Sequence, residues 1–247
     1  MSNGQLGTES KIEVRTTADG SPTLYVPALD EHYHSRHGAA QESRHVFIEA
    51  GLAPLLAAGL GNVAQPDCPL RLLEVGLGTG LNALLTLAAA RRAAVAVAYD
   101  GYETLPLPPA AVAALAPQWA DVPALRDAFA QLHAAPWGES LALTAIFSLT
   151  KHLAEVQLAT LPAGHYDLVY FDAFAPEKQP ELWTENVFAK LYAAAAPGAV
   201  LVSYCAQGQF RRNLRAAGWL TEKLPGPPGK REMTRARKPT VGSSADF

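Results

Sequence analysis

The chain has 247 residues, 49% of them hydrophobic and 17% charged. That is enough chain to bury roughly 70–75% of its extended surface, and the composition excludes a disordered or collagen-like polymer. A net charge of −3 excludes a uniformly basic nucleic-acid binder, while leaving room for a local basic patch.

The two cysteines, Cys68 and Cys205, form no C-x-x-C pair, so neither a zinc nor a redox motif is expected, and they fit a reducing cytoplasm. The polar N-terminus, MSNGQLGTESKIEVR, lacks the apolar run of a signal peptide. The apolar stretch 81–99 is broken by Arg91 and Arg92 and reads as helix then strand, so no membrane association is expected.

In chain order, residues 1–10 read as disordered. Lys11–Arg15 and Thr23–Val26 read as a hairpin turning at Asp19-Gly20. A polar loop, HYHSRHG, leads into a helix from about Gln41 to Leu52. Loop residues fill 59–69. An alternating series then begins, with strands at Leu70–Val75, Val95–Tyr99, Leu141–Phe147, Tyr166–Phe171 and Ala199–Tyr204. Between them fall helices at Leu81–Arg92, in two pieces over 106–133, at Lys151–Thr160 and at Glu181–Ala195. A helix over Gly208–Ala217 and a terminal hairpin, Trp219–Leu224 with Arg231–Arg235, close the chain. The alternation predicts an α/β fold: a mostly parallel seven-stranded sheet with helices on both faces, plus a small N-terminal hairpin extension. Residues 1–60 read as that extension and 61–240 as the main domain. Ligands of such sheets bind where the carboxyl ends of the strands meet a switch in strand order.

The first strand of the series ends in LLEVGLGTGLN, residues 72–82. Glycines at a strand-to-helix turn allow positive φ and close approach of a ligand to the backbone. Gly76, Gly78 and Gly80 give G-x-G-x-G. Leu81 stands where a dinucleotide fingerprint needs glycine or alanine, and no Gly-Lys-Ser/Thr of a P-loop follows. Glu74 ahead of the glycines suits S-adenosylmethionine (SAM), whose ammonium and sulfonium are cationic and whose carboxylate the loop N–H groups can serve. A tight turn with Glu74 capping the helix is the structural alternative. Asp100 and Glu103 are both candidates for an acidic partner of the ribose after the second strand.

The other dense stretch is YDLVYFDAFAPEKQPELW, residues 166–183. Asp172 stands where the apolar strand stops, followed by a stiff loop carrying Phe174 and Pro176. Methyl transfer to an amine requires a free lone pair. Deprotonating an alkyl amine costs about 1.4 kcal/mol per pKa unit, so roughly 4 kcal/mol for three units. A carboxylate that orients the amine or accepts its proton reduces that barrier. A loop or helix-cap role is the alternative for Asp172.

The blocks LLEVGLGTGLN, ETLPL, YFDAFAPEKQPELW, SYCAQGQFRRNLRAAGW and GPPGKREM, with HYHSRHGAAQESRHVF before them, resemble the methyltransferase domain of the MnmC family. That family acts in tRNA 5-methylaminomethyl-2-thiouridine biosynthesis, and the likeness is nearest to its stand-alone MnmD type. It spans roughly residues 24–237. The resemblance implies a Rossmann-like, SAM-dependent enzyme. It would convert 5-aminomethyl-(2-thio)uridine at the tRNA wobble position, in the anticodon stem-loop, to the 5-methylaminomethyl form. The chain ends at Phe247, so neither the family's second, oxidase domain nor its FAD is expected. By the same resemblance Glu74, Gly76, Gly78, Gly80 and Asn82 form the cofactor loop, and Glu103 rather than Asp100 takes the ribose. Asp172 faces the methyl acceptor, with Phe174 and Pro176 beside it and Lys230, Arg231 and Glu232 in the terminal block. The family's acidic pair after the third strand is missing from IFSLTKHL, leaving Ser148 and Leu149 as the adenine candidates.

Basic residues crowd the last part of the chain, from Arg211 to Lys238, and read as a phosphate-contacting face with Lys230 and Arg231 at its centre. His32, His34, His37 and His45 lack the further ligands a zinc site demands, so no metal is expected. Tyr33 and Ser35 are candidates for the acceptor side, and Tyr204 and Gln207 for contact with the base. Trp119 and Trp137 read as core or lid residues. Two other readings stay open: a small-molecule amine methyltransferase or aminopropyltransferase-like enzyme, and a non-catalytic SAM-binding module. Oligomeric state is not readable from the sequence.

Overall fold

A computed structural model describes residues 12–27, 30–33, 37–61 and 68–240. Near the N-terminus, β1 (Glu13–Thr16), β2 (Pro22–Val26) and the short β3 (Glu31–His32) form a three-stranded antiparallel sheet. The hairpin read from the sequence is present, with β3 added along its edge. The expected helix at 41–52 is longer: α1 (Ala39–Ser43), a π-helical segment (Arg44–Leu52) and α2 (Ala53–Ala57) run on from one another.

The main sheet comprises β4 (Leu70–Val75), β5 (Val97–Glu103), β6 (Ser140–Thr144), β7 (Phe147–Leu153), β8 (Tyr166–Phe171), β9 (Ala195–Ser203), β10 (Leu220–Pro225) and β11 (Glu232–Arg237). Its order is β10-β11-β9-β8-β4-β5-β7-β6. The five strands from β9 to β7 are parallel; β6, β10 and β11 run antiparallel to their neighbours. The order reverses at β4, which pairs with β5 on one side and β8 on the other. A ligand crevice is expected at the carboxyl ends of this pair.

The sheet has eight strands rather than the expected seven. The stretch taken as one strand at 141–147 folds back on itself, Thr144 Oγ1 accepting from the Ile146 N–H in the turn. The returning strand β7 then consumes Lys151–Leu153, so the helix expected over 151–160 does not form. The pattern in this stretch is strand-like, with Phe147, Leu149 and Lys151 buried between half-exposed Ser148, Thr150 and His152. Leu153, Val156 and Leu158 also suit a helical spacing, and the β5 edge decides between the two by pairing with all seven residues of β7. The second strand likewise sits further along than expected, at Val97–Glu103 instead of 95–99.

Helices α3 (Leu81–Ala93), α4 (Pro109–Leu115) and α5 (Pro123–Ala134) share one apolar cluster with the α1–α2 region; α6 (Glu185–Ala194) and α7 (Gly208–Ala216) share a second cluster across the sheet. Helix α3 is buried along most of its length, Asn82 and Thr86 included, and becomes exposed at Arg91 and Arg92, where cations complement the helix C-terminus. Period two along each strand sorts residues between the faces. Leu70 and Leu72, Tyr99, and Leu168 and Tyr170 belong to the α3 side; Leu73 and Val75, Tyr102, and Val169 and Phe171 belong to the α6 side. The N-terminal extension closes the α3 side, with the Phe47 ring 5.0 Å from that of Tyr170. Among the described residues no helix is long and apolar enough to cross a membrane.

Candidate active site

The turn after β4 and the tip of β8 meet at the switch point. The Asp172 N–H donates to the Val75 carbonyl at 2.9 Å. Gly76 has a φ of +88°, and a Cβ there would stand 2.5 Å from the Asp172 backbone oxygen. Only glycine fits where the two chain segments approach so closely. A cavity of about 530 Å³ opens above this junction. Its walls include Gly76–Thr79, Asn82, Glu103, Ala154–Gln157, Asp172–Ala175, Tyr204 and Lys230, with Tyr33, Glu42 and Phe47 contributed by the N-terminal extension.

The cofactor-loop residues inferred from the sequence are brought together, with one change of role. Glu74 follows Leu70 and Leu72 on the α3 side and is fully buried beneath the helix, not on the cavity wall. Its Oε2 accepts from the Tyr99 hydroxyl at 2.7 Å and its Oε1 from Asn82 Nδ2 at 2.8 Å. Glu74 therefore contacts Tyr99 and Asn82 and does not line the cavity. Asn82 Nδ2 also donates to Asp172 Oδ2 at 2.8 Å. The glycine N–H groups are spent inside the protein: Gly76 donates to Tyr102 O, Gly80 to Leu77 O and Gly78 to Glu103 Oε2. A ligand carboxylate is left the helix N-terminus rather than those three donors.

Parity also decides between the two acids after the second strand. Glu103 shares its face with Tyr99 and lines the cavity, its Oε1 accepting from the Thr104 and Leu105 N–H groups. Asp100 points the other way, where His152 Nε2 lies 2.7 Å from Oδ1 and the Tyr166 hydroxyl donates to Oδ2 at 3.2 Å. The adenine candidates are corrected. Leu149 is core and Ser148 lies inside β7, away from the cavity. The strand end that does reach the cavity is Ala154–Gln157, and it carries an acid, Glu155. A helix over 151–160 would not bring Glu155 to a strand end; the longer β7 does.

Asp172 is half-buried at the cavity wall. Burial pushes its carboxyl up to about 7; the Asn82 hydrogen bond and the Lys230 charge pull down, while Glu42 pushes up. Burial likewise holds Glu74 well above the usual carboxylate range, against the pull of Tyr99 and Asn82. Lys230 lines both the cavity and the cleft beside it. It turns into the cavity, pairs with Glu42 and lies 4.1 Å from the centroid of the Tyr204 ring. The Tyr204 hydroxyl donates to the Ala173 carbonyl at 2.9 Å, and Phe174 packs edge-on to Tyr33 at 5.1 Å. Pro176, Gln207 and Arg231 line a separate shallow cleft that shares Tyr204 and Lys230 with the cavity.

The C-terminal basic stretch is largely committed to the fold. Buried Arg211 pairs with Glu232, Arg235 with Glu222, and Lys238 donates to the Tyr192 and Ala195 carbonyls. Arg212, Arg215, Arg231 and Arg237 remain exposed. Trp119 is core, and Trp137 packs beneath the Lys151 ammonium, outside the cavity. Among the described residues no cluster of three metal-ligating side chains occurs; His34 and Ser35 lie outside them.

Comparison with known proteins agrees with this geometry. A family described as S-adenosyl-L-methionine-dependent methyltransferase matches residues 113–239, which is 127 of the 247. The chain is 32% identical over 241 residues to the tRNA 5-methylaminomethyl-2-thiouridine biosynthesis bifunctional protein MnmC of Aromatoleum aromaticum, covering 92% of this chain and 35% of that protein. Against MnmC of Magnetococcus marinus the identity is 34%, over 86% of this chain and 32% of that protein. The chain thus spans about a third of the length of the curated relatives it matches. The crystal structure of MNMC2 from Aquifex aeolicus superposes with a TM-score of 0.73 at 24% identity, covering 95% of this chain and 73% of that one, and so shares the fold. Since the family match takes in more than half of its residues, the chain belongs to the S-adenosyl-L-methionine-dependent methyltransferases.

Proposed function

We propose that the chain N-methylates 5-aminomethyl-(2-thio)uridine at the wobble position of tRNA, entered through the anticodon stem-loop. The observation that carries this reading is the charge of the cavity around Asp172. Among the described residues, seven that line it are carboxylic acids, Glu42, Glu103, Glu155 and Asp172 among them, and Lys230 is the one lysine. Such a cleft concentrates cations and repels phosphodiesters. It suits a cationic methyl donor and an ammonium-bearing base, and it keeps the RNA backbone outside.

The residues fit S-adenosylmethionine on an independent ground. Asn82 Oδ1 and Thr79 Oγ1 are buried without a hydrogen-bond partner among the described residues, at the turn that opens α3. Buried polar atoms are costly to leave unpaired, so a polar ligand at this turn is favoured. Glu103 would hold the ribose, Glu155 and its neighbours the adenine side, and Asn82 the amino-acid end. When bound, the cofactor supplies a methyl group on a cationic sulfur. Asp172 orients the acceptor amine and takes its proton, its own carboxyl being near neutral in affinity for protons. Phe174, Tyr33 and Tyr204 offer aromatic faces to the base. Arg231, with Arg212 and Arg215, is available to phosphates outside the cavity, and Pro176 shapes the cleft beside Arg231. Residues 1–60 act as an extension that completes the acceptor side, and 61–240 as the methyltransferase domain proper. The two cysteines are compatible with cytoplasmic action.

The test is incubation with labelled S-adenosylmethionine and tRNA from cells lacking this modification, followed by nucleoside analysis. Label in 5-methylaminomethyl nucleosides is the expected result. Label confined to small amines would replace tRNA as substrate, and binding without any transfer would remove the catalytic reading.

A further inference from the structure

Tyr99 does not line the cavity above the β4 turn and is 1% exposed, yet it begins a chain of hydrogen bonds that ends at Asp172 on the cavity wall. Its hydroxyl donates to Glu74 Oε2 at 2.7 Å; Glu74 Oε1 accepts from Asn82 Nδ2 at 2.8 Å; the same nitrogen donates to Asp172 Oδ2 at 2.8 Å. The three strand residues meet because Glu74, Tyr99 and Asp172 share the α3 face of β4, β5 and the β8 tip. The links are short, and the two to Glu74 are buried, where hydrogen bonds polarise one another.

The chain determines which way the Asn82 amide points. Only its nitrogen carries protons, and it has two to give. Asn82 Nδ2 donates to both Glu74 and Asp172, so the nitrogen end of the amide faces the two acids. The amide oxygen therefore points away, and it is the atom left buried without a partner. Asn82 itself is 3% exposed and lies on the cavity wall.

We propose that Tyr99 is a positioning residue: acting through Glu74, it locks Asn82 so that the amide nitrogen steadies Asp172 and the amide oxygen is presented to the ammonium of the methyl donor. This rests on the reading of the cavity as a methyl-donor site, but not on tRNA as acceptor. Removing the Tyr99 hydroxyl frees one Glu74 oxygen to compete for the Asn82 nitrogen. The amide then loses its fixed orientation while the aromatic core is retained.

Calorimetric titration with two ligands tests it. S-adenosylhomocysteine carries the ammonium end, and 5′-methylthioadenosine lacks it. Tyr99→Phe is expected to weaken S-adenosylhomocysteine roughly tenfold, the scale of one hydrogen bond, and to leave 5′-methylthioadenosine unchanged. Glu74→Gln, which reverses one donor in the chain, is expected to give the same split. In an Asn82→Ala background, Tyr99→Phe should add no further loss, because the two act through one atom. Equal weakening of both ligands, or full additivity with Asn82→Ala, would overturn the proposal by showing only general damage. An unchanged affinity for both ligands would overturn it as well. If the ligand split holds while tRNA accepts no methyl group, the proposed acceptor fails and the role of Tyr99 stands. If tRNA is methylated but the split is absent, the role of Tyr99 alone is lost.

Discussion

Replacing Gly76 by alanine strikes the cofactor turn and the acceptor side at once. Gly76 holds a φ of +88°, where a Cβ costs about 1–2 kcal/mol. The added carbon would lie 2.5 Å from the Asp172 backbone oxygen and 3.0 Å from its carbonyl carbon, against an ordinary contact of 3.4 Å or more. Relief requires the β4 turn and the β8 tip to separate by close to 1 Å. Overpacking of this kind costs roughly 1–3 kcal/mol more. A combined loss near 3 kcal/mol lowers Tm by roughly 6–12 °C for a domain of this size. A misplacement of that order is also worth about a hundredfold in rate. Thermal unfolding and methyl transfer, measured on the same preparations, check both. Gly164→Ala is the control: φ is +61° there, but nothing lies within 4 Å of the new Cβ. It should show the backbone cost alone, with kcat unchanged. A Gly76→Ala protein with kcat within threefold of the parent and an unshifted Tm would refute the close approach on which the site is built.

Four further outcomes follow from the structure. Asp172→Ala should lower kcat by roughly 10²–10⁴-fold while S-adenosylhomocysteine still binds, as expected for a group that handles a proton. With its carboxyl raised to about 7, activity should rise through neutral pH; Glu42→Gln should move that midpoint down and Lys230→Met should move it up, read from kcat/KM against pH. The stability consequence has a definite sign: between pH 3.8 and about 7 the native protein holds a proton on Asp172 that the unfolded chain has released, so stability falls as pH rises through that window. Asp172→Asn should therefore raise Tm more at pH 8 than at pH 5. On the far face, Trp219 is 1% exposed, donates to the Phe188 carbonyl at 3.1 Å and packs on Tyr192; Trp219→Ala should cost about 3–5 kcal/mol by denaturant unfolding, without a selective effect on ligand binding.

Local pattern alone located β4, α3 and β8, because each is an apolar run closed by glycine or charge, and the terminal hairpin, because a Gly/Pro-rich turn separates its two strands. It also singled out the G-x-G-x-G turn, Glu103 and Asp172, which the fold brings to one cavity. Those signals are local: strand ends, turn residues and an acid at each carboxyl edge. The β6–β7 hairpin lay beyond such reading, since Lys151–Leu153 suits either helix or strand and only pairing with β5 decides. That one misplacement hid Glu155. The direction of each side chain was equally out of reach. Which face Glu74 takes depends on the register of β4 against β5 and β8, and that register sends it beneath α3 to Tyr99 and Asn82 rather than into the cavity. Lys230 and Glu42 are 188 residues apart, and they meet only because the N-terminal extension folds over the sheet's carboxyl edge. Residue types and their spacing thus determined where a glycine turn and acidic strand ends fall in the chain. Strand register and long-range packing, which no local window contains, decided which of those acids lines the cavity and which lies buried against other side chains.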